Sequence, residues 1–224
     1  QEAHSASQVP DVQTIRVAPG TYGEPLTIEN DLTLRGTGSG TVVIDGGDRS
    51  TAFTLNQGNV VLSDVTLTTS ADQPTVLLTG GRFHARRIKV QESADHDQVG
   101  MIIIAGPASV DLGTEADPGI NIFDIRGRGG RFIDNLATPS LDVPAAGNAW
   151  RESGVPFFTN PPIEARVTHQ HDLDPFGVVR WNRPPIAIGE SYSIAEGATL
   201  STTAGFNGVL DNGDSDHDGN PITL

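Results

Sequence analysis

Short apolar segments, alternating or continuous, run along the chain and are separated by Gly, Asn and Asp. Alternation with a period of two is typical of strands, and no window carries apolar residues at the i, i+3, i+4, i+7 spacing over a helical length. The pattern therefore predicts an all-β protein. The predicted strands are Thr14–Val17, Leu26–Ile28, Leu32–Arg35, Thr41–Ile44, Ala52–Leu55, Val60–Leu62, Val65–Leu67, Thr75–Leu78, Phe83–Ala85, Ile88–Val90, Met101–Ile104, Ser109–Leu112 and Asn121–Ile125.

A strand that ends in a two-residue turn and continues at once into another strand occurs four times, in LTIENDLTL, FTLNQGNVVL, VLLTGGRFHA and IIIAGPASVDL. The second residues of these turns are 27, 23 and 26 positions apart, a period typical of one coil of a solenoid. We therefore predict a parallel β-helix, with a sandwich of ordinary hairpins as the alternative. Its inward positions would stack into one apolar core, for example at Ile28, Leu55, Leu78 and Ile104.

The segment TIRVAPGTYGEPLTIENDLTLRGTGSGTVVIDGG places a turn at Pro19-Gly20, an aromatic cap for the coil mouth at Tyr22 and tight-corner glycines at Gly36 and Gly38. It resembles the first coils of right-handed parallel β-helix proteins of the pectin lyase-like superfamily. VDLGTEADPGINIF, RFIDN and AAGNAW are similar to last coils in large secreted bacterial proteins, and PIEARVTHQHDLDPFGVVRW is similar to their closing element. The resemblance implies a right-handed parallel β-helix over residues 1–183.

A second resemblance begins at Arg183, in NRPPIAIGESYSIAEGATLSTTAGFNGVLDNGDSDHDGNPITL. This segment is similar to the start of the cadherin-like tandem repeats of bacterial surface proteins, although Gly189-Glu190 and Gly213 stand where those repeats usually have Asp. It implies a partial C-terminal β-sandwich-like segment at residues 184–224. Half a sandwich cannot bury its own face, so we expect a piece of a longer protein, or a tail that packs on the β-helix or on another copy.

Charge and composition narrow the classes of partner. The chain carries 28 acidic and 14 basic residues, a net charge of −14, and has no cysteine. This excludes disulfides and thiolate sites, and it disfavours nucleic acid and anionic membrane surfaces as partners. The longest apolar stretch, Met101 to Ala105, is far too short for a membrane span.

The acidic residues near the C-terminus predict a cation site. Asp214, Asp216, Asp218 and Asn220 alternate on a glycine-containing loop, and convergent oxygen ligands of this kind suit Ca²⁺. We predict a structural Ca²⁺ there; a solvated acidic turn is the alternative.

The segment at residues 169–174 contains residue types that bind metals or act in catalysis. His169 and His171 would share a strand face and could hold a transition metal or supply a general base. The alternative, which we favour because the segment resembles a closing element, is a capping turn in which Asp172 and Asp174 bind local amides.

Lyases of the β-helix fold use Ca²⁺-binding carboxylates and a basic residue on one sheet face. Arg86-Arg87, Asp95-His96-Asp97, Asp111 and Asp117 are available for such a site, and the coil register decides whether they meet. The paired Gln and Asp motifs of pectin methylesterases are missing, as are the G-x-S-x-G, H-E-x-x-H, P-loop and dinucleotide motifs. No catalytic residue is therefore assigned.

The last third of the chain contains a basic cluster and most of the aromatic residues. Arg126, Arg128 and Arg131 could bind acidic sugar or the acidic tail, or form a solvated loop. The aromatic residues could form a sugar platform, but we expect them to plug the end of the β-helix. They are Phe123, Phe132, Trp150, Phe157, Phe158 and Trp181.

These observations predict a non-enzymatic structural or adhesive module of a secreted or cell-surface bacterial protein. Its expected partners are extracellular polysaccharide or other copies of itself, with fibre assembly by strand addition. The alternative is a polysaccharide lyase or esterase that acts on acidic glycans. Two or more carboxylates facing an Arg on one coil face would favour that alternative.

Overall fold

The computed structural model describes most of the region with β-helix resemblance, and everything said below about structure concerns that part of the chain. The described residues are 13–94, 99–114, 116–127, 130–137, 143–157, 162–163, 165–169 and 179–180. The chain winds through them as a parallel β-solenoid in which each of the first five coils contributes one strand to each of three sheets. No helix among these residues has the length and apolar character needed to cross a membrane.

The strands follow one another coil by coil. They are β1 (Gln13–Arg16), β2 (Gly20–Tyr22) and β3 (Leu26–Ile28) in coil 1; β4 (Leu32–Arg35), β5 (Val42–Asp45) and β6 (Phe53–Leu55) in coil 2; β7 (Asn59–Ser63), β8 (Thr66–Thr69) and β9 (Val76–Leu78) in coil 3; β10 (Arg82–Arg86), β11 (Lys89–Glu92) and β12 (Gly100–Ile104) in coil 4; β13 (Ser109–Asp111), β14 (Ile122–Ile125) and β15 (Arg131–Asn135) in coil 5; β16 (Val143–Pro144), β17 (Ala149–Glu152), β18 (Val155–Pro156) and β19 (Val167–His169) in coil 6; and β20 (Val179–Arg180).

The three sheets run along the solenoid axis. Sheet A has the order β1-β4-β7-β10-β13, sheet B the order β2-β5-β8-β11-β14-β17-β18, and sheet C the order β3-β6-β9-β12-β15-β19. Every pairing is parallel except that of β17 with β18, and β16 pairs with β20 in a small fourth sheet. Consecutive strands therefore belong to different sheets, which excludes the hairpin sandwich considered from the sequence.

The predicted stack of inward residues is confirmed in sheet C. Ile28 pairs with Leu55, Leu55 with Leu78, and Leu78 with Ile104, and all four side chains are buried. Such stacking removes a continuous apolar column from water, which is the main stabilising contribution in a solenoid. All thirteen predicted strands are present, with boundaries displaced by two residues at most. The strand at Gly20–Tyr22 and those after Ile125 were missed.

Close approach between successive coils explains the glycines at the corners. A Cβ atom at Gly36 would lie 2.1 Å from the carbonyl oxygen of Asp64 in the next coil, as the predicted tight corner requires. Gly81 has a φ of 77°, in the left-handed region that favours glycine. Tyr22, predicted to cap the coil mouth, lies in β2 and is exposed, and its hydroxyl donates a hydrogen bond to the carbonyl of Ala18.

Aromatic side chains fill the interior of the last described coils. The ring centroid of Trp150 lies 4.6 Å from that of Phe123 and 4.9 Å from that of Phe132, which also packs edge-on against Phe157. Phe123, Phe132 and Trp150 are buried in the solenoid interior, so these three form no exposed sugar platform. Phe158 and Trp181 lie outside the described residues.

Asparagine replaces aliphatic residues at one inward corner of coils 5 and 6. The amide oxygen of Asn121 accepts the backbone N–H of Ile88 at 3.0 Å, and its Nδ2 donates to the carbonyls of Ala85 and Leu112 at 3.2 and 2.9 Å. Asn148, in the next coil, accepts the backbone N–H of Asn121 at 3.0 Å. These two side chains therefore satisfy buried backbone groups of three successive coils.

The predicted boundary near Arg183 and the cadherin-like segment at residues 184–224 lie outside the described residues.

Candidate functional site

Four charged or titratable side chains meet on the outer surface of sheet A, and we call them the sheet A cluster: His84, Arg86, Asp111 and Asp117. His84 and Arg86 both lie on β10, two positions apart, so both point outward from the coil. Asp111 on β13 is the direct register partner of His84. Asp117 belongs to the connection between β13 and β14 and reaches back over the same face.

Arg86 is the centre of the cluster and is only 7% exposed. Its Nε donates to Asp117 Oδ2 at 2.9 Å, and its Nη2 lies 3.0 Å from Asp111 Oδ1 and 2.8 Å from Asp117 Oδ2. Its Nη1 donates to the backbone carbonyls of Ala85 and Asp111 at 2.9 and 3.3 Å. All three guanidinium nitrogens therefore bind acceptors, and the arginine joins coils 4 and 5.

His84 is partly exposed, and carboxylates lie near both of its ring nitrogens. Its Nδ1 lies 3.0 Å from Asp111 Oδ2, and its Nε2 lies 3.9 Å from Asp117 Oδ2. Burial raises the pKa of Asp111, but hydrogen bonds from Arg86 and the Gly113 amide, with the charges of Arg86 and His84, outweigh burial, so its pKa is lowered overall. Asp111 therefore remains an anion that can orient the imidazole through Nδ1.

This geometry decides what the cluster can do. A carboxylate that orients one imidazole nitrogen leaves the other nitrogen to exchange protons. Arg86 is bound too completely to serve as a base. Asp111 and Asp117, the carboxylates available for a lyase-type site, bind Arg86. No group of three or more His, Cys, Asp or Glu in the described residues is placed to hold a metal ion.

An ion pair at the corner between sheets A and B adjoins the cluster. Arg87 makes a bidentate contact with Asp64, with both N···O distances at 2.8 Å, and this hydrogen bonding lowers the pKa of Asp64. Asp64, Arg87 and Ile120 occupy this corner in successive coils with φ values of 61°, 54° and 52°. A left-handed conformation is strained for a β-branched residue such as Ile120, whose side chain is also exposed.

The predicted basic cluster is partly neutralised. The backbone N–H of Arg126 binds the carboxylate of Glu92, and its Nε donates to the Glu92 carbonyl. Arg131 makes two hydrogen bonds to Asp134, at 2.6 and 2.9 Å. Arg128 lies outside the described residues.

The remaining predicted site residues lie beyond what the structure describes. The backbone of His169 belongs to β19 and pairs with Asn135, but its side chain is not among those described. The others fall outside the described residues; they are Asp95, His96, Asp97, His171, Asp172, Asp174, Asp214, Asp216, Asp218 and Asn220.

The sequence reading brought forward Arg86, Asp111 and Asp117 but missed His84. The alternation of the strand Arg82–Arg86 contains the signal, because residues 84 and 86 must share a face. It also missed Asn121 and Asn148, whose separation of 27 residues equals a coil period.

Comparisons of this chain with protein-family models, with curated proteins and with solved structures gave no significant match.

Proposed function

We propose that this chain is a non-enzymatic structural and adhesive module of a secreted or cell-surface bacterial protein. The observation that carries the proposal is the complete engagement of Arg86 within the protein. The guanidinium of Arg86 thus links coils 4 and 5, which is a structural role. A stack of parallel coils with a buried apolar column suits a rigid spacer or scaffold.

Self-association is the first test of this proposal. The expected partners are other copies of the chain or extracellular polysaccharide, with assembly into fibres by strand addition. Light scattering over a concentration series and negative-stain electron microscopy of the full chain should show oligomers or filaments. A strictly monomeric chain that also fails to bind immobilised polysaccharide would contradict the proposal.

Calcium binding by Asp214, Asp216, Asp218 and Asn220 belongs to the same proposal, with Ca²⁺ in a structural role. A ligand that binds only the folded form raises thermal stability. The melting temperature should therefore rise with Ca²⁺ and return to its former value with chelator. The double variant Asp214→Asn, Asp216→Asn should lose this response, whereas Asp31→Asn, which changes an acid in the turn between β3 and β4, should keep it. A wild-type melting temperature that Ca²⁺ does not change would contradict the Ca²⁺ part.

A polysaccharide lyase or esterase that acts on acidic glycans is the second candidate function. It is favoured by the His84–Asp111 pair beside Asp117, because two carboxylates do face an arginine on one coil face. Release of unsaturated or de-esterified products from uronate polymers would test it, with and without Ca²⁺. Turnover that His84→Ala abolishes would replace the structural proposal, and absence of turnover would remove the enzyme.

A further inference from the structure

Asp117 of the sheet A cluster forms an aspartyl–prolyl peptide bond with the residue that follows it. Asp117 is followed by Pro118, and the Asp117 side chain is largely exposed to water. Aspartyl–prolyl bonds are weak because the carboxylate can attack its own carbonyl carbon through a five-membered ring, and because the proline nitrogen is a better leaving group than an ordinary amide. In most folded chains, nothing positions the groups for this reaction.

The carboxylate of Asp117 is held with one oxygen available. Arg86 binds Oδ2 through both Nε and Nη2, and the structure gives no hydrogen bond to Oδ1 among the described residues. A carboxylate oxygen is a nucleophile in covalent catalysis, and the two contacts from Arg86 fix the position of this carboxyl group. Oδ1 is therefore the candidate attacking atom.

The carbonyl of the same residue has a donor in place. The backbone N–H of Thr114 donates to the Asp117 carbonyl oxygen at 2.9 Å, and the Asp117 N–H donates to Thr114 Oγ1 at 3.0 Å. Negative charge develops on this carbonyl oxygen when its carbon is attacked, and a fixed backbone donor stabilises that charge. The paired bonds also fix the turn that carries the peptide bond.

The imidazole of His84 lies near the side chain of Asp117. His84 Nε2 is 3.9 Å from Asp117 Oδ2, and Asp111 holds the opposite ring nitrogen. The other charges that face this point are those of Arg86 and Arg87, the latter acting on Asp117 at longer range. Histidine is the usual general acid in proteins, so His84 is the candidate donor of a proton to the leaving nitrogen.

We propose that the folded chain cleaves its own Asp117–Pro118 bond. Oδ1 attacks the carbonyl carbon of Asp117 and forms a C–O bond; the C–N bond to Pro118 breaks, and its nitrogen takes a proton from His84. The cyclic anhydride left at Asp117 is opened by one water molecule, which yields two carboxyl groups and returns a proton to His84. The reaction consumes one water and needs no oxidant, reductant or metal.

The surrounding backbone explains how the protein tolerates the cut. Gly119 donates to the carbonyl of Ala146 at 2.9 Å, and Ala146 donates to the carbonyl of Gly113 at 3.0 Å. Both sides of the loop at residues 114–118 are therefore bound to the next coil, and the ends stay in place after hydrolysis. The strained φ of Ile120, three residues after the bond, is a further reason to expect reactivity in this loop.

Incubation of the purified full chain at 37 °C, over about pH 4 to 8, tests the proposal by intact mass spectrometry. The expected products are fragments 1–117 and 118–224, formed at a rate independent of protein concentration, which co-elute in gel filtration until denatured. The bond Asp174–Pro175 is an internal reference. Unfolding in urea should abolish the preference for Asp117–Pro118 over this reference.

Single substitutions test the separate contributions of Asp117 and His84 to the cleavage rate. Asp117→Ala should stop cleavage, and His84→Asn should slow it at least about tenfold, in line with the usual contribution of a general acid. Asp31→Ala, in the turn before β4 and away from the loop, should leave the rate unchanged. Circular dichroism checks that each variant is folded. An intact wild-type chain, equal cutting at both aspartyl–prolyl bonds, or an unchanged rate in a folded His84→Asn variant would each overturn the proposal.

Discussion

Coils 1 to 4 and coils 5 to 6 of the solenoid are stabilised in different ways. The early coils stack aliphatic residues in line, and the inward corner residues Val65 and Ile88 are apolar and buried. In the late coils the same corner holds Asn121 and Asn148, and the interior is filled by stacked aromatic rings. A repeat protein can therefore keep one backbone path while it replaces apolar packing with hydrogen bonds and ring contacts.

The largest expected effect comes from the aromatic stack. Phe123→Ala should lower the free energy of unfolding by about 4 kcal/mol, because a buried ring is lost and a cavity forms beside Trp150. Urea unfolding should be followed both by circular dichroism, which reports all strands, and by tryptophan fluorescence, to which Trp150 in coil 6 contributes.

Phe83→Ala in coil 4 is the matched control for the aromatic stack, since Phe83 is equally buried and packs against Phe53. We expect Phe123→Ala to shift the fluorescence transition more than the circular dichroism transition, and Phe83→Ala to shift both together. Coincident transitions in both variants would mean that the coils unfold as one unit and that the two regions do not differ in stability.

Removal of the asparagine side chain should have the next largest effect. Asn121→Ala leaves the buried N–H of Ile88 without its partner and removes one of the two donors that bind each of the carbonyls of Ala85 and Leu112, at a cost of about 2–3 kcal/mol. Asn59→Ala is the control, because the side chain of Asn59 is exposed and bonds to Asp31 alone among the described residues, so its loss should cost less than about 1 kcal/mol. Equal midpoints in chemical denaturation for the two variants would refute the role given to Asn121.

Much of the early region could be predicted from sequence and little of the late region could. Aliphatic residues such as Leu55 and Leu78 recur at one coil period, so pattern alone locates their strands. Inward Asn121 and Asn148 look like turn residues in a sequence, because their role depends on backbone groups of neighbouring coils. His84 joined Arg86 and Asp111 only once the register of β10 and β13 was known.

A smaller loss of stability should follow when a side chain is added at Gly36, the corner glycine of coil 2. Gly36→Ala places a Cβ against the Asp64 carbonyl oxygen, and a backbone atom cannot yield as a flexible side chain can, so we expect a loss of about 1–3 kcal/mol. Gly40→Ala is the control, because its Cβ would meet nothing within 4 Å. Thermal melts that fail to separate the two variants would contradict the close approach of coils 2 and 3.

The smallest expected effect concerns pH. Asp64, Asp111 and Asp134 all have a pKa below the ordinary value of 3.8. For Asp134, burial raises the pKa, but hydrogen bonds from Arg131, Thr168 and the Gly100 amide outweigh burial. A carboxyl with a lowered folded pKa stabilises the fold above its unfolded pKa, and that stabilisation is lost as the pH falls through the folded value.

The urea midpoint should therefore be level above about pH 5 and should fall below about pH 4. Since two of these three carboxylates lie in coil 5, the fluorescence transition should respond more strongly to acid than the circular dichroism transition. Asp134→Asn should flatten the acid limb. An acid limb that is unchanged in this variant would show that the lowered pKa of Asp134 adds nothing to stability.

The short rise of the stacked coils has a mechanical consequence. Equivalent turns are 23 to 27 residues apart, and an extended chain of about 25 residues spans roughly 80–90 Å. One coil, however, adds only about 4.8 Å to the length of the stack. Tension that detaches a single coil thus releases a length many times greater than the coil contributed, so the solenoid would yield under load in discrete, extensible steps instead of breaking at once.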